Sequence, residues 1–113
     1  MDKNLQDVEK RTPLLWATRN GYASIVETLV NHGADVDLAD CNGQTLLSWA
    51  AERGHADIVA FLIPKVNDIN RPDTRWGRMP LFWARMNLHR RVTSLLLKNH
   101  ADPDSKDNEG MLL

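Results

Sequence analysis

Apolar and polar positions along this chain follow a pattern that recurs. Between residues 45 and 63, TLLSWAAERGHADIVAFLI, the apolar residues Leu47, Trp49, Ala50 and Ala51 mark a first short helix. A break at Gly54-His55 follows, and Ile58, Val59, Leu62 and Ile63 mark a second helix with one apolar stripe. The same plan stands 33 residues earlier, where Thr12, Leu14, Trp16, Gly21, Ile25-Val26 and Leu29-Val30 match Thr45, Leu47, Trp49, Gly54, Ile58-Val59 and Leu62-Ile63. A third copy needs one inserted residue, after which Leu81, Trp83, Ala84, His89 and Leu96-Leu97 fall into register. The pattern predicts first helices near 13–20, 46–53 and 80–87, and second helices near 23–32, 56–64 and 90–99.

Local chemistry agrees with these elements. Thr12 before Pro13 is an N-cap hydroxyl followed by proline at the first helical position. Gly21 and Gly54 supply a left-handed residue after the first helix, and Ser24 with Glu27 fits a capping box. Pro64 should stop its helix about a residue early and disfavour a helical Ile63. In the third copy Leu88 stands where the others have glycine; leucine tolerates that conformation poorly, so Asn87 is expected to adopt it. Between helix pairs run GADVDLADCNGQ, VNDINRPDTRWGR and HADPDSKDNEG, polar segments that read as hairpin-like connections projecting sideways. Ordering a backbone costs about 1–2 kcal/mol per residue, which one such pair cannot offset. Stacked copies share a continuous core, and about three are the minimum. The expected architecture is all-α: an α-solenoid of stacked helix-turn-helix units over 1–113, with repeats at about 7–39, 40–72 and 73–106 and a partial fourth at 107–113. Both ends look cut, which leaves two readings: a piece of a longer array, or a tail of Met111, Leu112 and Leu113 folded over the third repeat.

These residues resemble ankyrin repeats, whose pattern runs D-x-x-G-x-T-P-L-H-x-A-A, then x-x-G-H, an aliphatic helix and G-A-D-V-N. The matching stretches are TPLLWATRNGYASIVETLVNHGADVD, DCNGQTLLSWAAERGHADIVAFL and MPLFWARMNLHRRVTSLLLKNHADPD. The histidine after T-P-L is replaced by Leu15, Ser48 and Phe82. The hydrogen bonding it gives is therefore missing, and packing of Trp16, Trp49 and Trp83 between units is expected instead. Arg85 and Arg90 replace small or apolar residues, so the third repeat departs furthest. The resemblance implies a non-enzymatic module that binds another protein on a concave face of hairpin tips and first helices. The matching positions are Arg19, Asn20, Cys41, Asn42, Gln44, Glu52, Arg53, Thr74, Arg75, Trp76, Arg78, Met86 and Asn87.

Composition changes this picture only in part. A chain of 113 residues, 42% hydrophobic and 26% charged, with net charge −1, suits an ordinary folded domain. The single cysteine, Cys41, excludes an internal disulfide framework and fits a reducing compartment. The start MDKNLQDVEKR is unlike a signal peptide, and no run of about 18 apolar residues suggests a membrane span. Cytoplasm or nucleus is expected. Charge is unevenly placed: residues 71–91 hold six arginines against Asp73, while the segments on either side are net acidic. That asymmetry suits a partner with an acidic patch. Trp76, the inserted residue between Arg75 and Gly77, is either an interface anchor or buried against a neighbouring hairpin or Pro72.

Patterns that would carry chemistry are missing from the sequence. His32, His55, His89 and His100 lack zinc-ligand spacing, and Asp102, Asp104 and Asp107 lack the glycine and distal glutamate of a calcium loop. Ser48 has no nucleophile elbow around it, and Cys41 lies beside an acid rather than a base. No metal, cofactor or small-molecule substrate is expected, and nucleic acid is disfavoured because the arginines lack a stacking platform. Two other functions stay open: a purely structural inner segment of a longer array, and an enzyme inhibitor acting through the same face.

Overall fold

Threonine hydroxyls set the start of the first two units. Thr12 Oγ1 accepts from Leu15 N at 3.2 Å, with Pro13 leading the helix, and Thr45 Oγ1 accepts from Ser48 N at 3.2 Å. The computed structural model describes residues 12–104 and 106–111. Its helices are α1 (Pro13–Arg19), α2 (Ala23–Asn31), α3 (Leu46–Arg53), α4 (Ala56–Leu62), α5 (Pro80–Met86) and α6 (Arg90–Lys98). The inner helices α1, α3 and α5 pack side by side, and each carries its outer partner, α2, α4 or α6. The outer helices also pack in sequence, so two layers enclose one core. Leu14, Leu47 and Leu81 hold equivalent buried positions in that core, as do Ala17, Ala50 and Ala84. The small alanines let the inner helices approach closely, so the three units share their apolar surface.

The turn inside each pair explains two glycines. Gly21 has φ +79° and Gly54 φ +76°, a region open to glycine at little cost. In the third unit Leu88 itself takes φ +61°, while Asn87 stays at φ −96°. The expectation that Asn87 takes the left-handed role is therefore wrong. The His89 N–H bonds Ala84 O, as His55 N bonds Ala50 O and Tyr22 N bonds Ala17 O, so the position is fixed by the turn rather than by the residue.

Three other local expectations need correcting. Tyr22 is the N-cap of α2 and makes no side-chain cap, so Ser24 and Glu27 form no capping box; Ser24 lies inside the helix. Helix α4 ends at Leu62, short of the expected 64, in keeping with Pro64 beyond it. Even so, Ile63 keeps helical angles (φ −48°, ψ −49°), because the chain turns on through Lys65 N to Leu62 O. Trp16 does not pack between units: it is 51% exposed and lies against Tyr22 with ring centroids 5.2 Å apart.

The connections are hairpins. Asp40 N bonds Gln44 O and Gly43 N bonds Asp40 O, with an isolated antiparallel bridge between Ala39 and Thr45. Asp73 N bonds Arg78 O in the next hairpin, and Asp107 N bonds Met111 O in the last. Each hairpin rests on its predecessor: Thr74 N donates to Asn42 O at 2.9 Å, and Asn108 N to Trp76 O at 2.7 Å. Hairpin tips and inner helices thus lie along one side of the stack. The Met111 end of the apolar tail is exposed, and Leu112 and Leu113 lie outside the described residues.

Candidate functional site

An aspartate opens each hairpin and organises what lies beside it. Asp40 Oδ1 accepts the N–H groups of Asn42 and Gln44, each at 3.0 Å, while Oδ2 accepts Trp49 Nε1 at 3.0 Å. Asp73 repeats the arrangement, with Trp76 N at 2.8 Å on Oδ1 and Trp83 Nε1 at 3.1 Å on Oδ2. One carboxylate therefore closes the turn and ties it to the tryptophan of the following inner helix. Both aspartates are buried, a cost offset by several charge-assisted bonds. Asp107 closes the last hairpin through Glu109 N and Met111 N. From sequence these acids read as turn residues and the tryptophans as packing residues. The Asp-to-Trp spacing, nine residues in the second unit and ten in the third, is the signal that joins them.

The tryptophans in turn hold arginines. Arg19 and Arg53 each place a guanidinium 5.6 Å from the Trp49 ring centroid, within the range of a cation–π contact. Arg75 lies 4.7 Å from Trp76. Arg78 sits deeper, 4.9 Å from Trp83 and 5.0 Å from Phe82, with Nε 3.7 Å from Asp107 Oδ2. Trp76 is half-buried and meets Trp83 edge-on at 5.4 Å. Its packing partner is thus the inner-helix tryptophan, with the Arg75 and Arg78 guanidinium groups 4.7 and 5.6 Å from its ring. A groove of about 260 Å³ lies between Arg75, Trp76 and Arg78 on one side and Asp107, Asn108 and Glu109 on the other.

The remaining expected contact residues divide by exposure. Asn20, Cys41, Arg53, Thr74, Arg75, Met86 and Asn87 are exposed, and Arg19, Asn42, Glu52, Trp76 and Arg78 are partly so. Gln44 is buried, with its side chain beside the Glu52 carboxyl. Asn20 and Asn87 spend their side-chain amides on the carbonyls of Trp16 and Trp83, tying down the ends of α1 and α5. Burial pushes the Glu52 carboxyl above its ordinary range; Arg53 and Gln44 oppose the shift, while Asp40 and Asp73 add to it. Arg53 Nε lies 3.8 Å from Glu52 Oε2, an ion pair without a close hydrogen bond.

Among the described residues, no group of three or more His, Cys, Asp or Glu side chains is placed to hold a metal. His55 and His89 instead join successive units: Nε2 of each faces a carbonyl of the preceding unit, Arg19 O at 3.0 Å and Glu52 O at 2.9 Å. No helix among the described residues is long and apolar enough to cross a membrane.

Stacked helix pairs with hairpins along one side define a repeat protein, and comparison with known families gives the repeat its name. The family model described as Ankyrin repeats (3 copies) matches residues 1–73, and the single ankyrin repeat model matches residues 76–108. The chain belongs to the ankyrin repeat family. No curated protein matches it. Ankyrin repeats are generally protein–protein interaction modules, and the family is typically non-enzymatic.

Proposed function

We propose that this chain is a non-enzymatic adaptor or scaffold that binds another protein through its concave face, setting an acidic patch of the partner against the basic third unit. The observation that carries this reading is the set of guanidinium groups resting on tryptophan faces: Arg19 and Arg53 on Trp49, Arg75 on Trp76. Arginines held in this way lose less freedom on binding, and their planar forks match carboxylates bidentately. Of the arginine excess over residues 71–91, Arg75 and Arg78 lie beside Trp76 and draw an acidic surface toward this face. The contact surface comprises the exposed positions named above, with Gln44 supporting from beneath. An intracellular setting belongs to the proposal, supported by a single, exposed, unpaired cysteine.

Arg53 and Arg75 are the probes of choice. Trp76 and Arg78 are built into the third unit through Trp83 and Asp107, so removing them disturbs the fold together with the surface. A partner isolated with the full chain should bind an Arg53→Glu/Arg75→Glu variant about tenfold or more weakly, and its affinity for the parent should fall with added salt. Calorimetric titration measures both, and an unchanged thermal melt shows that the variant is folded. Equal affinity of parent and variant would overturn the placement.

A further inference from the structure

Each joint between units uses the same few positions. Where unit one meets unit two, the His55 ring lies over Gly21, so close that a Cβ on that glycine would fall 2.7 Å from Cε1. Where unit two meets unit three, the His89 ring lies over Gly54, and a Cβ there would fall 2.5 Å from Nδ1. The joint therefore needs a residue without a side chain. Two more positions complete the face that receives the following unit. Thr18 and Ala51 on the inner helices, and Val26 and Val59 on the outer ones, are all wholly buried.

The third unit departs at all three positions. Arg85 stands at the place of Thr18 and Ala51, Leu88 at that of Gly21 and Gly54, and Thr93 at that of Val26 and Val59. Leu88 is 83% exposed, and at φ +61° it carries a Cβ at the position where a Cβ on Gly21 or Gly54 would meet a histidine ring. Arg85 Nη1 donates to Pro103 O at 2.8 Å, and Thr93 Oγ1 donates to His89 O at 2.9 Å, so both polar groups are engaged within their own unit. With Arg90 and Ser94 these residues line a shallow groove of about 420 Å³. The opposite face of the stack is unlike it. Ile25 is 44% exposed, whereas its equivalents Ile58 and Val92 are buried against a preceding unit.

We infer that the outer face of the third unit closes the helical stack. A further helix pair cannot seat there in the register that joins units one, two and three. Three substitutions act together: a bulky side chain where a ring must lie, a cation where a small residue must be buried, and a hydroxyl where valine packs. Any chain that continued past Leu113 would leave the helical stack at this face. The hairpin ladder still advances one step further, through Asn108 N to Trp76 O. The surface involved is the end of the stack and is separate from the concave face proposed above for binding.

The test extends the full chain past Leu113 with a copy of residues 47–72, which is in register because Asp107 and Gly110 align with Asp40 and Gly43. The extension is made on the parent and on an Arg85→Ala/Leu88→Gly/Thr93→Val variant; both are also made without it, to show by circular dichroism that they fold. On the parent, the added helices should exchange amide hydrogens freely, and the urea midpoint and slope should stay as they were. On the variant they should gain protection, with the slope rising by about a third as a fourth unit joins the cooperative fold. Protection of the added helices on the parent would overturn the inference. If the folded variant also leaves them unprotected, these three residues are not the block and the assignment falls. Should the variant itself not fold, Leu88→Gly alone takes its place under the same criteria.

Discussion

Gly54 meets two demands at one position. Its φ of +76° is left-handed, and the His89 ring lies where a side chain would begin. Gly110 meets only the first, at φ +78° with open space around it. Gly54→Val should therefore cost about 3 kcal/mol or more, from backbone strain and overpacking together, while Gly110→Ala should cost about 1 kcal/mol. Urea midpoints compare them, and equal losses would mean that the ring contact carries no energy. Glu52 yields a prediction with a sign. Burial raises its folded-state pKa above the ordinary 4.5, so the ionised form is penalised in the fold and not in the unfolded chain. The penalty is full above the raised folded value, shrinks as pH falls through it, and is gone below the ordinary one. Glu52→Gln should thus be more stable than the parent at pH 7, with the advantage fading toward pH 4.5. An advantage that grows on acidification, in urea titrations at several pH values, would contradict this account. Residue identities are legible in sequence where a local turn or cap calls for them, as at Thr12, Gly21 and Gly54. They mislead at Leu88 and Asn87, since propensity ranks residues for a position while the fold decides which position must be left-handed.

The hairpin and the inner helix after it form one element, pinned by an aspartate. Asp73→Ala would leave the buried Trp83 indole N–H and the Trp76 backbone N–H without their acceptor, at a cost of about 2–4 kcal/mol. Trp83→Phe removes the donor and leaves the carboxylate its backbone partners, so its cost should be smaller, about 1–2 kcal/mol. Denaturant unfolding ranks the two; a Trp83→Phe loss that exceeds the Asp73→Ala loss would show that ring packing outweighs the tether. The existence of each helix is legible from apolar spacing, because burying one face is what these short helices are for. Their capping is less so. Ser24 and Glu27 have the spacing of a box, but the tight turn from α1 places the helix start at Ala23, ahead of the serine. The Asp-to-Trp tether escapes the sequence because its spacing changes from nine to ten with the inserted residue, and spacing does not tell where an indole points.

At the scale of the molecule, the stacked architecture is plain from repetition, since three in-register copies have one economical way to bury their stripes. Which face of the third unit is closed is not plain. That follows only when rings and glycines are seen to meet across the joints. The proposed binding face stands between these cases: its positions come from the family resemblance, while the burial of Gln44 and the seating of Arg78 need the packing. The bonds between units carry one further regularity. His55 reaches back to Arg19 O, His89 to Glu52 O, Thr74 N to Asn42 O, Asn108 N to Trp76 O, and Asn67 N and Asp102 N to the side chains of Asp37 and Asn70. In every one the later residue donates and the earlier one accepts. The described stack is thus chemically directional: at these joints the later unit supplies hydrogens and the earlier one lone pairs. During synthesis, each new unit finds its acceptors already made. Removing an earlier unit would leave the next unit's donors to water, and removing a later one would leave carbonyl, amide and carboxylate oxygens to water.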